Sequence, residues 1–444
     1  MKRTNLEFYE IVSLIAKGPM PLPPLSGETN STLETSRTTR RTLSTITDKE
    51  KQSVKIIHDK LKVFSLTGRI TEKLMLKAFK AVKKNRGAAG IDKISIQMYE
   101  SNLTENLLSL MRELKQGTYQ PIPLRRVHIP KGKKTRPIGI PSVKCRVAQE
   151  VIRRLINSTF ESRFHDNSFG FRNGRNCHQA VERLLQYARL GYRYVVDVDI
   201  KGFFDNIPQH LILESVYAKI SDGNILKLIK KFLNSGVLEE GKIKPTLKGT
   251  CQGGVISPLL SNIILDHLDW FLEEQRIFFV RYADDFVMLC KTEAEAEKAL
   301  DLVRTYLKNM ELEDSPEKTK ICHFSNGFDF LGFTIKNRSI QMRTKSMEKF
   351  QNSIRDITRR SHNLDKKVIE KLNRVIRGTV NYFGAKFSTM KMAFRELDKW
   401  IRKRIRCMKY KRIRKTDNLR YTIKRIKKMG LLNCYDLYKA RLRC

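Results

Sequence analysis

The segment RYADDFVML (281–289) sets two carboxylates, Asp284 and Asp285, side by side between apolar and aromatic residues. Charge in such surroundings is costly unless it is paired or coordinates a metal. The wider run FFVRYADDFVML has the composition of two strands joined by a tight turn, with Ala283, Asp284 and Asp285 at the turn. A second run, YRYVVDVDIKGFFDNI, carries Asp197 and Asp199 at the end of another apolar strand. Alternate strand residues share a face, so facing alone does not separate those two acids. Repulsion between carboxylates is relieved by protonation or by cations, and hard oxygen ligands suit Mg²⁺. One strand-borne Asp beside a hairpin-borne pair is what two-metal phosphoryl transfer requires, one ion activating a 3′-hydroxyl and the other holding a triphosphate.

The elements that must position these acids belong to a chain of 444 residues, enough for two or three domains, with an ordinary 41% hydrophobic content. Against 46 acidic residues stand 87 Lys and Arg, a net charge of +41 that attracts polyanions, nucleic acid above all. No apolar stretch approaches the roughly 20 residues of a membrane span, and IVSLIA, close to Glu7 and Glu10, does not make a signal peptide. The expected compartment is a soluble one, with an organelle as the weaker alternative. Eight cysteines stand singly, without a C-x-x-C pair, and read as reduced packing thiols rather than a zinc site or disulfide framework.

Residues 17–47 combine a proline cluster with twelve Ser and Thr from Ser26 to Thr47, the composition of a flexible extension. Helical patterns and short basic loops follow to about 190, several strand-like runs to 340, and a helical, very basic region beyond. After the acid pair, TEAEAEKALDLVRTYLKNM has helical spacing and a capping box of Thr292 and Glu295, a structural helix behind the strands. LLSNIILDHLDWF also has helical spacing, so QGGVISP before it opens a helix suited to phosphate or sugar contacts.

Tyr282-Ala283-Asp284-Asp285 resembles the Y-x-D-D box of reverse transcriptases, and DIKGFFD (199–205) resembles their first palm motif. NRGAAGIDKIS (85–95) is similar to the extra N-terminal motif of group II intron-encoded enzymes, and the stretches 125–152 and 164–181 to their finger motifs. GTCQGGVISPLLSNIILDHLD (249–269), SPEKTKICHF (315–324) and FDFLGFTI (328–335) continue the palm series, and RGTVNYF (377–383) lies in a region resembling the family's thumb, or maturase, domain. The chain thus resembles a bacterial group II intron-encoded reverse transcriptase/maturase over about residues 50–435.

That resemblance implies an α+β right-hand polymerase, fingers and palm, followed by an α-helical thumb. The expected boundaries are a flexible extension at 1–48, N-terminal motif and fingers at 49–190, palm interleaved with fingers at 191–340, thumb at 341–430 and a short C-terminal tail at 431–444. The implied metal ligands are Asp199, Asp284, Asp285 and the Ile200 carbonyl, holding two Mg²⁺ with Mn²⁺ as a substitute; Asp197 becomes a neighbouring acid. Phe204 would lie under the incoming sugar and exclude a 2′-hydroxyl, with Phe203 as the core phenylalanine. Gln252 would line the nucleotide pocket, its glycine neighbours allowing close backbone approach. In the loop IPKGKKTRPIGIP, Lys131 and Arg136 would bind the triphosphate, where fixed cations neutralise developing charge. Lys318 would protonate pyrophosphate.

From Lys399 to Lys428 fifteen Lys and Arg oppose the single acid Asp417, interleaved with apolar residues such as Trp400, Ile405 and Ile426. Such helices pack on one face and grip phosphates on the other, and structured RNA is read mainly through shape and sugar-phosphate contacts. The expected function is RNA-directed DNA synthesis from an RNA template, a DNA or RNA primer and deoxynucleotides, together with binding of structured intron RNA to assist splicing and mobility. A maturase without polymerase activity, or a domesticated reverse transcriptase in defence or repair, is the alternative. The expected state is a monomer on RNA, some relatives pairing through their fingers. No paired Cys/His cluster follows the thumb, so an appended endonuclease is not expected.

Overall fold

The computed structural model describes residues 62–131, 134–250, 253–412 and 414–443; the extension at 1–48 lies outside them. Three amphipathic helices come first. α1 (Glu72–Lys84) is capped by the Thr71 hydroxyl accepting the Leu74 amide, α2 is Ile96–Ser101, and α3 (Leu103–Gln116) stops where Gly117 turns left-handed. The stretch expected as a basic loop is instead a hairpin, β1 (Leu124–Lys131) pairing antiparallel with β2 (Lys134–Ile140). Its proline at 137 sits on β2, the edge strand, whose outer side has no ladder to supply. α4 (Val143–Glu161) is buried on nearly all sides, as a helix at the centre of a core must be. α5 (Cys177–Arg189) starts at a reciprocal capping box of Asn176 and Gln179.

Next come β3 (Tyr194–Val198), the short α6 (Phe203–Asn206), α7 (Gln209–Tyr217) and α8 (Gly223–Leu233). The small strands β4 (Val237–Glu239) and β5 (Lys242–Lys244) extend the finger hairpin into a sheet ordered β2-β1-β4-β5. α9 (Ser257–Glu274) opens with proline in its first turn and leads to β6 (Phe278–Tyr282) and β7 (Asp285–Cys290). α10 (Glu293–Asn309) is capped by Thr292, while the Glu295 carboxylate accepts from the amide of Lys291 rather than of Thr292. β8 (Lys320–His323) completes an antiparallel palm sheet ordered β6-β7-β3-β8. β9 (Phe328–Phe330), β10 (Phe333–Lys336) and β11 (Ser339–Met342) form a separate meander. The chain then becomes helical: α11 (Thr344–Ile357), α12 (Lys366–Phe383), α13 (Lys391–Tyr410), α14 (Asp417–Arg420), α15 (Ile423–Lys428) and α16 (Cys434–Arg443).

Alternation along the palm strands divides two cores. Val196, Val198, Phe279, Phe286 and Met288 join the larger cluster, which draws on α1, α4 and α7–α10 from both sides of residue 190. Val195, Val280, Val287 and Leu289 point to the other face and meet α5 and the β9–β11 meander. A third cluster, from α11, α12, α13, α15 and α16, is the thumb's own. The segment expected as a tail supplies α16 (Cys434–Arg443), and the buried Cys434, Tyr438 and Leu431 are what draw it into the thumb.

Tyr438 is 4% exposed and its hydroxyl donates to the Ser388 carbonyl at 2.7 Å. Tyr438→Ala is expected to cost about 3 kcal/mol, as large-to-small core substitutions do, measured by urea unfolding. A change within about 0.5 kcal/mol, typical of surface sites, would return the segment to the status of a tail.

Candidate active site

β6 and β7 pair down to Tyr282 opposite Asp285, so the turn between them is only Ala283 and Asp284, and Asp285 already belongs to the strand. Ala283 adopts φ +60°, a left-handed conformation that a residue with a Cβ rarely takes. The segment 167–169 lies against this hairpin: the Phe169 amide donates to the Arg281 carbonyl at 2.8 Å, and the Arg281 amide to the Asn167 carbonyl at 2.9 Å. Gly170 follows directly on the turn, where a Cβ would stand 2.2 Å from the Ala283 nitrogen.

β3 runs antiparallel to β7 with Val198 opposite Phe286, so the next position along the same register sets Asp199 opposite Asp285. Both share a face with Asp197, Val195 and Val287. Burial pushes the Asp197 carboxyl up to about 6, the charges of Asp285 and Asp199 add to the rise, and Lys320 across β8 opposes it. Asp197 therefore holds its proton more readily than an ordinary carboxylate, while Asp284 is half-buried and Asp285 exposed. Lys318 reaches across to Asp199, its ammonium 2.6 Å from Oδ2. The backbone here is fixed by the Ser315 amide donating to the Asp199 carbonyl at 2.7 Å and the Lys201 amide to the Glu313 carbonyl at 2.9 Å. Ile200, between them, bridges Asp314 as the pair that makes no hydrogen bonds, so that bridge does not use its carbonyl.

Among the described residues no group of three or more His, Cys, Asp or Glu is gathered closely enough to hold a metal ion by itself. The donor set nevertheless suits magnesium, which binds through one or two carboxylates plus substrate phosphates rather than in an all-protein cage. Asp199 and Asp285 are such a pair of hard donors, and Asp199 already holds a cation, the Lys318 ammonium.

The nucleotide side of the site is built from loops pressed against each other. Phe203 is 2% exposed and belongs to the core, whereas Phe204 is half-buried. The Phe204 carbonyl accepts from the Thr250 amide at 2.8 Å, and Gly249 donates to the Ile207 carbonyl at 2.7 Å. A Cβ on Gly249 would lie 2.6 Å from the carbonyl oxygens of both Phe204 and Asp205, and one on Gly253 would lie 2.3 Å from that of Gly139 on β2. Gln252, between these glycines, lies outside the described residues. The Val255 amide donates to Gln149 Oε1 of α4 at 2.7 Å. Arg136 is exposed on β2; with Arg126 it pulls down the Asp205 carboxyl, which burial pushes up more strongly. Lys131 ends β1 at the hairpin tip, its side chain outside the described part.

Asp199, Asp285 and Lys318 are thus brought together by the palm register, and Arg136 of the finger hairpin faces Asp205, the neighbour of Phe204. Sequence reasoning missed Gln149 and Arg343. Arg343 lines a cavity of about 510 Å³ with Asp285, Leu331, Lys349 and Tyr382, between palm and thumb. Both act across long sequence separations that no local pattern records. A larger cavity, about 1010 Å³, lies within the thumb and is lined by Lys399, Arg402, Arg406, Arg412, Arg414 and Lys424 among others.

Residues 129–335 match the family described as reverse transcriptase (RNA-dependent DNA polymerase), and residues 347–428 the group II intron, maturase-specific domain. Protein YkfC of Escherichia coli (strain K12) is 33% identical over 321 residues, 62% of this chain and 84% of that protein. The group II intron-encoded protein LtrA of Lactococcus lactis subsp. cremoris is 32% identical over 301 residues, 53% of this chain, which spans only 50% of that relative. A telomerase from Candida albicans solved with a fragment of telomeric RNA is 13% identical, covers 76% of this chain and 66% of its own, and superposes with a TM-score of 0.40.

The contact of Gly249 with the Phe204 loop can be separated from its backbone strain. Gly249 and Gly241 both have φ +78°, but nothing stands within 4 Å of a Cβ built on Gly241. Gly249→Ala is expected to lower RNA-templated primer extension by about 10²-fold, the effect of misplacing reacting groups by an ångström or so, with Gly241→Ala little changed. Equal effects in the two variants would mean the 249 contact does not position the site.

Proposed function

Because the chain belongs to the family of group II intron-encoded reverse transcriptases and maturases, we propose that it copies RNA into DNA and also grips structured intron RNA. The observation that carries the first part is the register that sets Asp199 opposite Asp285, with Asp284 on the adjoining turn. In this reading Asp199, Asp284, Asp285 and the Ile200 carbonyl hold two Mg²⁺, or Mn²⁺ in their place. Bound there, the ions supply an activated 3′-hydroxyl and neutralise charge on the leaving pyrophosphate.

The remaining work falls to the chain's own side chains. Arg136 and Lys131 hold the triphosphate from the finger hairpin, Gln252 lines the pocket, and the Phe204 ring occupies the space a 2′-hydroxyl would need. With the Asp199 charge taken up by divalent cations, the Lys318 ammonium, now paired with Asp199, would be free to protonate pyrophosphate. The substrates are deoxynucleoside triphosphates, an RNA template and a primer. The thumb cavity, with its six named cations, supports RNA gripping independently of the palm. The compartment proposed is the bacterial cytoplasm; among the described residues no helix is long and apolar enough to cross a membrane.

Purified protein should extend a primer on an RNA template with deoxynucleotides and Mg²⁺, and Asp284→Asn/Asp285→Asn should abolish extension while RNA binding persists. A wild type that binds RNA but extends nothing, across templates and both ions, would leave a splicing maturase as the reading to pursue. Phe204→Ala should raise ribonucleotide use relative to deoxynucleotide use by about tenfold or more, a steric discrimination near the 1–3 kcal/mol of a pocket contact. An unchanged ratio would remove Phe204 from the sugar site. Arg402→Gln/Arg414→Gln should make the slope of log K against log salt for RNA binding shallower by about 2, roughly one for each phosphate no longer neutralised. An unaltered slope would assign RNA binding elsewhere.

A further inference from the structure

The strand leading into the acid pair contains a guanidinium in its core. Arg281 is 0% exposed, as is its partner Asp269 on α9. Its Nε donates to Asp269 Oδ1 at 2.7 Å and its Nη2 to Asp269 Oδ2, a bidentate pair. The remaining nitrogen, Nη1, is divided between Asn262 Oδ1 at 2.9 Å and the Ala283 carbonyl at 3.0 Å. Asn262, 2% exposed, in turn donates to the Gly170 carbonyl at 2.9 Å. Gly170 is the residue pressed against the Ala283 nitrogen.

Three features of this network point one way. First, an ion pair sealed from water stabilises a fold no better than apolar residues of the same volume, because desolvation offsets the attraction. What it adds over apolar packing is direction. Second, the planar fork of arginine directs its hydrogen bonds at four acceptor oxygens on three residues, which a lysine does not do. Third, one of those acceptors is the carbonyl of the peptide unit joining Ala283 to Asp284. Ala283 is held left-handed, so the turn has no intrinsic preference for its shape. Gly170 closes one side of it and Arg281 the other.

Resting on the polymerase reading above, we infer that Arg281, locked by Asp269 and Asn262, is a positioning residue for the catalytic turn: it fixes the Ala283 carbonyl and thereby the direction in which Asp284 and Asp285 present their carboxylates. It touches neither nucleotide nor nucleic acid. Its effect passes through the turn to the cation-binding face.

The test is the pair replacement Arg281→Met/Asp269→Leu, which keeps volume and removes direction, beside Asn262→Ala, which removes the side brace and leaves the ion pair. Each is compared with wild type for thermal unfolding, RNA affinity, Mn²⁺ binding followed by electron paramagnetic resonance, and the kcat and KM of primer extension. The pair variant is expected to unfold within a few degrees of wild type and bind RNA equally. Its Mn²⁺ affinity should fall at least tenfold and its kcat about a hundredfold, with KM for deoxynucleotide nearly unchanged, and Asn262→Ala should shift Mn²⁺ affinity and kcat the same way by a few-fold. If the pair variant does not fold, that Asn262→Ala shift alone supports the inference and its absence overturns it. A folded pair variant with wild-type Mn²⁺ affinity and kcat overturns the inference alone, reducing the network to core packing. A wild type that neither binds Mn²⁺ nor extends a primer overturns the polymerase reading, and the inference with it.

Discussion

Asp199 and Asp285 face one another because β3 and β7 pair in the register that keeps Val195, Val287 and Leu289 on one side and Val196, Val198, Phe286 and Met288 on the other. A slip of one residue would send every side chain of the slipping strand to the wrong face. Each buried aliphatic or aromatic side chain contributes roughly 1.5–3 kcal/mol. Two carboxylates even 4 Å apart repel by about 4 kcal/mol at the effective dielectric of a protein surface. Seven apolar side chains outweigh that repulsion, so hydrophobic burial is what holds the like charges in place. The Asp197 proton affinity is a visible by-product of the same arrangement.

Around this sheet the site is completed by backbones rather than by long side chains. Gly170 abuts the Ala283 turn, Gly249 abuts the Phe204 loop, and Gly253 abuts Gly139 of the finger hairpin. Each approach is too close for a Cβ, so each contact sets the distance between the two segments it joins. The thumb is tied in on the opposite side. His178 of α5 donates from Nε2 to the Tyr382 carbonyl at 2.6 Å, Tyr382 stacks on Phe333 with centroids 5.7 Å apart, and its hydroxyl donates to the Leu331 carbonyl at 2.8 Å. The cleft cavity that contains Asp285 and Lys349 is lined by two of these residues, Leu331 and Tyr382. Thumb and palm therefore share a hydrogen-bonded aromatic joint directly behind the carboxylates.

Local patterns made the strands around the acid pair legible, together with the α9 and α10 helices and the contrast between Phe203 and Phe204, because each depends on residues within a few positions. The finger hairpin was hidden by Pro130, Pro137 and the glycines of 132 and 139, whose turn-like composition does not register that one strand is an edge. The last helix was hidden by brevity: Cys434 and Tyr438 make too short a pattern to distinguish a packed turn from a tail, and it is the thumb core that recruits them. The buried network of Arg281, Asp269 and Asn262 left one sign, an arginine inside an otherwise apolar strand. Its partners lie 12 and 19 positions away on α9, and only the folded chain brings them together.

Charge balance at the carboxylates links the remaining features. Lys318 sits on Asp199, Lys320 stands across from Asp197, and Asp197 itself is inclined to protonate. The palm thus neutralises its acids with its own groups. The Lys318 contact is more than a third exposed on both sides, and ion pairs of that kind contribute about 0–1 kcal/mol. A partner so weakly held is one that a divalent cation bound at Asp199 would displace, as the proposed function requires. By contrast, Arg281 and Asp269 are sealed from water and do not exchange. The two ion pairs therefore divide the electrostatics by burial: the exposed one is replaceable, as the proposed reaction would need, and the buried one is permanent, as the inferred geometry of the turn would need.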